Sequence, residues 1–179
     1  LGSYCSHRIF PAENLFRISE EIDFKIAASL MTKGITTYYL LNKTYKVKKD
    51  EFILFHAAAG GVGQVFCQWA KSLGCKVIGT VGSNEKISLA KNNGCNHVIN
   101  YSTENFASEV MNITKGKGVS VVYDGVGKKT FHGSIESLKI RGVMVSFGNA
   151  SGPLDPINVS KYIQPKGIYL TRPSGHHYT

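Results

Sequence analysis

The stretch Phe52-Ile53-Leu54-Phe55-His56-Ala57-Ala58-Ala59-Gly60-Gly61-Val62-Gly63-Gln64-Val65 constrains this chain more than any other. Four consecutive apolar residues, Phe52 to Phe55, suit a parallel strand covered on both faces, because such a strand loses the alternation of a half-exposed one. The alanines and glycines that follow permit a sharp turn and a close approach of the backbone to a ligand. From Gly61 the chain reads as a helix with Val62, Val65, Phe66 and Trp69 on one side. The first amides of a helix lack intrahelical partners, and its dipole favours an anion there. A dinucleotide pyrophosphate is the anion that strand, turn and helix in this order usually hold. The match to G-x-G-x-x-G is loose, since Ala58 takes the first glycine position in Ala58-x-Gly60-x-x-Gly63. The order of the elements therefore carries more weight than the motif.

Downstream, strand and helix alternate at regular spacing. A helix over 61–73 ends at Gly74, followed by strand 76–81, a helix near 85–92 stopped by Gly94, strand 97–100, helix 104–113 and the β-branched strand 119–124. A helix over 128–138 and strands at 142–147 and 167–171 complete the series. This spacing predicts right-handed β-α-β units and a doubly wound, parallel six-stranded α/β sheet of the Rossmann type. Upstream, residues 24–41 read as helical, anchored by Ile26, Leu30, Ile35 and Leu40, with Gly34 expected to split or kink the helix. The run from Ser6 to Ile18 resembles two short strands broken at Pro11, too little to form a core alone.

The 179 residues suffice for one well-buried domain with an appendage. No apolar run approaches the ~20 residues of a membrane span. The start, Leu1-Gly2-Ser3-Tyr4, has no basic segment or apolar core of a secretory signal and reads as a chain entered partway. The net charge of +9 comes from scattered, mostly lysine residues without interleaved aromatics. That pattern favours a solvated surface over a nucleic-acid face. Cysteines 5, 67, 75 and 95 form no C-x-x-C pair, so neither a disulfide framework nor a zinc site is expected, and a reducing, cytoplasmic setting fits.

The end of the second strand separates two cofactor readings. An NAD-binding unit places a carboxylate about 20 residues beyond the glycines to bind the ribose hydroxyls. Here the strand ends Thr80-Val81-Gly82-Ser83, and the next carboxylate, Glu85, already lies in the helix beside Lys86. A small corner at Gly82 and Ser83 with a cation one turn away accepts a 2′-phosphate through amides, a hydroxyl and charge, which points to NADPH. The competing reading makes Lys86 one more exposed helix lysine.

Together these segments carry a resemblance. His56-Ala57-Ala58-Ala59-Gly60-Gly61-Val62-Gly63, Gln68-Trp69-Ala70-Lys71, Ile78-Gly79-Thr80-Val81-Gly82, Val122-Tyr123-Asp124-x-Val126-Gly127, Val145-Ser146-Phe147-Gly148-Asn149 and the upstream Lys33-Gly34-Ile35-Thr36-Thr37-Tyr38-Tyr39-Leu40-Leu41 resemble the quinone oxidoreductases. These form the zinc-free, zeta-crystallin-like branch of the medium-chain dehydrogenase/reductases. The resemblance implies NADPH:quinone reduction, a homodimer and two domains with the active site in the cleft between them. It makes residues 1–24 the end of an otherwise absent N-terminal GroES-like catalytic domain, and residues 25–179 the NADPH-binding Rossmann domain without its C-terminal return. By position, Gly60, Gly61 and Val62 would face the pyrophosphate; Gly82, Ser83 and Lys86 would hold the 2′-phosphate; and Tyr101 would lie beside the adenosine. Val126 would line the groove, while Phe147 and Thr36 would reach the nicotinamide end. Ala150 departs from the serine common in the family, removing one cofactor hydrogen bond.

Hydride transfer to a quinone needs positioning and water exclusion more than a protein acid or base, and no triad is evident. Asp124 stands open between a catalytic acid and a carboxylate capping a nearby turn. His56 stands between a cleft residue and a satisfied histidine at a strand end. His176-His177 reads as loop rather than a metal pair. Three functions fit: an NADPH-dependent quinone reductase, a reductase of another acceptor such as an enone or aldehyde, and a non-catalytic NADPH-binding protein. The last strand, residues 167–171, is expected to be an apolar edge that pairs with a second copy.

Overall fold

A computed structural model describes residues 4–178. By contact the chain separates into two units, one ending at Met31 and one running from Thr32. In the first, the only regular structure among the described residues before α1 (Phe24–Tyr39) is the 3-10 turn Ala12–Asn14. The two short strands expected between Ser6 and Ile18 do not form. Leu15 is extended but pairs with no neighbouring strand, and an extended segment without a ladder partner is not a strand.

Helix α1 starts where Asp23 Oδ1 accepts the Lys25 amide at 2.8 Å. Contrary to expectation it runs unbroken through Gly34, because an interior glycine costs only about 1 kcal/mol and tertiary context offsets that. The helix leaves through a wider π-type turn, Leu40–Thr44, which buries Leu40 and Leu41 together.

The second unit contains one six-stranded parallel sheet: β1 (Phe52–Phe55), β2 (Lys76–Val81), β3 (His97–Asn100), β4 (Val119–Asp124), β5 (Leu138–Ser146) and β6 (Tyr169–Thr171), ordered β3-β2-β1-β4-β5-β6. Between them lie α2 (Gly61–Ser72), α3 (Ile87–Asn92), α4 (Phe106–Ile113), α5 (Phe131–Ser137) and α6 (Val159–Tyr162). Leu54 of β1 is in register with Ile78 of β2 and Val122 of β4. Side chains alternate between two cores. Ile53, Phe55, Val77, Tyr123 and Val145 pack with Leu40, Leu41, Phe66 and Ala70 on one face; Leu54, Ile78, Val122 and Met144 pack with Val110, Phe131 and Ile135 on the other. Helices on both faces explain why Phe52 to Phe55 has no polar position.

The last strand is shorter than the expected 167–171, starting at Tyr169, and two boundaries shift by three residues or more. Helix α5 begins at Phe131 rather than near 128, because the preceding residues turn around Asp124. Strand β5 begins at Leu138 rather than 142. Leu138 pairs with Val119 and Val143 with Val121, so Lys139–Gly142 on β5 face the single residue Ser120. The bulge turns through Arg141, which takes φ +58°.

Candidate cofactor site

The strand order runs outward in both directions from β1 and β4, so the crevice at their carboxyl ends is the point where a doubly wound sheet receives ligands. The glycine turn closes it. Ala57, one residue before the position of the missing first glycine, takes the left-handed conformation (φ +57°), and the Gly60 amide donates to Ala57 O at 2.8 Å. A Cβ on Gly63 would fall 2.5 Å from both Ala57 O and Ala58 O, so only glycine lets α2 pack against the turn. Gly60 precedes α2 without any side-chain cap, and the first turn of α2 holds no acidic residue. Its leading amides are therefore available to an anion. This is a cradle that side chains would fill, and it fits a pyrophosphate.

Beneath the turn lies a buried polar network. Asp124, fully buried, accepts at Oδ1 from the amides of Val126 (2.8 Å) and Gly127 (2.9 Å). Thr130 Oγ1 lies 2.9 and 2.8 Å from its two oxygens, and Ser134 Oγ donates to Oδ2 at 3.0 Å. His56 Nε2 is 2.9 Å from Ser134 Oγ, and Nδ1 is 2.8 Å from Thr80 Oγ1. With Ser134 donating to the carboxylate, Nε2–H donates to Ser134 and Thr80 donates to Nδ1, which makes His56 a neutral imidazole. Burial lowers the His56 pKa, only partly offset by the Asp124 charge. Both open readings thus resolve toward architecture. Asp124 caps the β4–α5 turn, and His56 ties β1 to β2 and α5. Thr80 and Ser134 carried no sequence signal; their roles arise only when three elements converge.

The expected site residues other than Thr36 and Lys86 follow directly on the carboxyl ends of β1 to β5. Gly60, Gly61 and Val62 form the entry to α2. Gly82 and Tyr101 meet: a Cβ on Gly82 would lie 3.0 Å from the Tyr101 hydroxyl, and Ser102 Oγ donates to Gly82 O at 2.9 Å. Ser83 is partly buried at the start of the turn that carries the exposed Lys86. Among the described residues no carboxylate pairs with Lys86. Val126 is buried, and Phe147 lies against Gly125, where a Cβ would meet its ring at 3.0 Å. Thr36 is partly buried, and its hydroxyl donates to Thr32 O at 2.7 Å. Ala150 is exposed just beyond β5. His176 and His177 lie in a 3-10 turn capped by Ser174, and the neighbouring Tyr178 stacks on Tyr39 at 4.7 Å. Among the described residues no group of three or more His, Cys, Asp or Glu is placed to hold a metal ion.

One residue beside the cradle was not assigned from sequence. The Lys33 side chain crosses the first residue of α2, where a Cβ on Gly61 would fall 2.8 Å from its Cε and 3.7 Å from its Nζ.

Comparison with known proteins agrees with this architecture. Residues 61–174 match the family model described as zinc-binding dehydrogenase. The chain is 51% identical over 174 residues to a quinone oxidoreductase of Salmonella typhimurium, covering 97% of this chain and 53% of that protein. It is 46% identical over 181 residues to a 2-haloacrylate reductase of a Burkholderia species, covering 99% of this chain and 54% of that protein. The structure of the Escherichia coli quinone oxidoreductase complexed with NADPH superposes with a TM-score of 0.85 at 48% identity, over 96% of this chain and 50% of that one. The chain thus spans about half the length of the relatives it matches.

Proposed function

This chain belongs to the zinc-binding dehydrogenase family, and from that premise we propose that it is the cofactor-binding portion of an NADPH-dependent quinone oxidoreductase. The observation that carries the reading is the second-strand corner. Gly82, Ser83 and Tyr101 gather beside Lys86, an exposed cation with no carboxylate partner among the described residues. A 2′-phosphate supplies the missing charge, and an NAD ribose would not.

In this reading Gly60, Gly61 and Val62 offer their amides to the pyrophosphate, Tyr101 flanks the adenosine, and Val126 and Phe147 shape the groove toward the nicotinamide. Thr36 borders that end. NADPH, when bound, supplies the hydride; the chain's own residues bind it, orient it and exclude water. No residue here is assigned an acid or base role, since Asp124 and His56 are occupied by the network beneath the turn. Residues 1–24 would be the end of a GroES-like domain.

The relative named a 2-haloacrylate reductase favours a second reading, reduction of an activated alkene on the same cofactor platform. For assembly, among the described residues β6 has β5 as its only strand neighbour, and Tyr169 and Leu170 are exposed. That edge supports a homodimer through residues 167–171. Sedimentation of Leu170→Pro, expected to be monomeric where the parent is dimeric, tests it. No helix among the described residues is long and apolar enough to cross a membrane. Cys67, Cys75 and Cys95 are buried thiols, which favours a reducing, cytoplasmic location.

The decisive experiment is fluorescence titration of NADPH and NADH with the intact protein and its Lys86→Ala variant. Tighter NADPH binding that Lys86→Ala abolishes supports the assignment; equal affinities for the two cofactors overturn it. Turnover with a quinone and with 2-chloroacrylate then separates the two acceptors.

A further inference from the structure

The net charge of +9 is scattered along the sequence, but the fold gathers part of it at the edge of the sheet opposite the cofactor crevice. A groove of about 570 Å³ opens there, between the amino ends of β1, β2, β4 and β5 and the turn that follows α4. Lys76, Lys115, Lys117 and Lys139 line it, all four exposed, and Phe52 and Ile113 give it an apolar wall. That volume is the size of a small-molecule site.

Four ammonium groups around one groove repel each other, and no carboxylate offsets them. Among the described residues the one ion pair is Lys128–Asp155. Glu51 brings the one carboxylate to the groove wall, and its oxygens already accept from the Tyr45 hydroxyl at 3.1 Å and the Lys48 amide at 3.0 Å. Lys115 and Lys117 follow the carboxyl end of α4, whose dipole favours cations. Lys76 and Lys139 come from strands and have no such compensation.

The backbone places these cations rather than leaving them to free rotamers. Lys76 Nζ stands 5.3 Å from the centroid of the Phe52 ring. Lys139 lies in the β5 bulge, and its Nζ donates to Oγ of the buried Ser120 at 2.8 Å, so the bulge aims it into the groove. What neutralises four cations held around an apolar wall is one ligand carrying several negative charges close together. Phosphates joined in a row have that charge density, and lysine binds them as a point charge.

We propose that this groove is a second anion site, which takes a compact polyphosphate at the end of the sheet away from the cofactor. Lys76, Lys115, Lys117 and Lys139 are its binding residues. The site is independent of the NADPH reading, since it shares no residue with the crevice.

The test is calorimetric titration of the intact protein with tripolyphosphate and with ATP, in the presence of saturating NADPH so that the crevice is filled. Both ligands should bind, and more weakly as salt is raised. Replacing three lysines together, Lys115→Gln, Lys117→Gln and Lys139→Gln, should weaken both by at least about tenfold, the effect of losing charge-assisted contacts. The same three positions changed to Arg should retain binding. A control with Lys25→Gln, Lys91→Gln and Lys161→Gln, all exposed and outside the groove, removes the same net charge and should leave both affinities unchanged. Absence of binding overturns the inference, as does an equal loss in the two Gln variants, which would mark a general effect of net charge. Binding seen only without NADPH also overturns it, because the ligand then occupies the crevice. A protein that binds tripolyphosphate through these lysines but has no affinity for NADPH would keep this inference and sink the cofactor reading.

Discussion

The unit ending at Met31 and the unit beginning at Thr32 draw on the same residue types and treat them in opposite ways. In the first, Ile9, Phe16 and Phe24 are 101%, 78% and 80% exposed; in the second, Phe66, Ile53 and Val77 are wholly buried. Alternating apolar residues at Ile9, Phe10, Leu15, Phe16 and Ile18 have the composition of strands and form none. Phe52 to Phe55 form one because β2 and β4 lie on either side in register. Composition alone therefore does not make a strand. The partner makes it, by taking up the backbone donors and acceptors that an isolated extended segment leaves to water.

The largest expected effect that tests this contrast is a matched truncation. Phe66 stacks on Phe55 at 4.2 Å and meets Tyr123 at 4.7 Å, so Phe66→Ala should cost about 3–5 kcal/mol in urea unfolding. Phe16→Ala should change stability by less than about 0.5 kcal/mol. Comparable losses at both sites would erase the distinction. Next comes the buried network: Asp124→Ala leaves the Val126 and Gly127 amides without their acceptor, while Thr130 and Ser134 keep backbone carbonyls, and should cost about 3 kcal/mol, read in the same titration.

A smaller, pH-dependent effect follows from His56. Its folded pKa lies below the ordinary 6.5, so in the window between the two values the unfolded chain takes up a proton that the folded chain does not. This contribution is complete above about pH 6.5 and is lost as the pH falls below it. The melting temperature should be flat above that point and decline below it, and His56→Gln should reduce the slope. The smallest effect lies on α1. A Cβ on Gly34 meets nothing within 4 Å, so Gly34→Ala should raise stability by up to about 1 kcal/mol, measurable as a higher melting temperature. A loss there would restore the kink expected from the sequence.

The alternation of strands and helices, the Gly74 and Gly94 stops and the anion cradle at Gly60 and Gly61 were legible because each is a local requirement. Period, turn chemistry and helix ends are properties of a few neighbouring residues. The Gly34 break and the strands near Pro11 misread the chain for the same reason, since both were decided by distant partners that local pattern does not contain. The β5 bulge likewise exists because Val121 selects Val143 across the sheet, extruding Lys139–Gly142.

By itself, then, the sequence determined the doubly wound architecture, the position of the dinucleotide turn and the absence of a carboxylate at the tip of the second strand. Only the tertiary structure decided that Asp124 and His56 are spent on holding β1, β2, β4 and α5 together, and that Lys33 crosses the helix that follows the glycines. The physical reason is that hydrogen bonds and charges act through space. His56 and Ser134 are 78 residues apart in the chain and 2.9 Å apart in the fold, a proximity that no spacing in the sequence encodes.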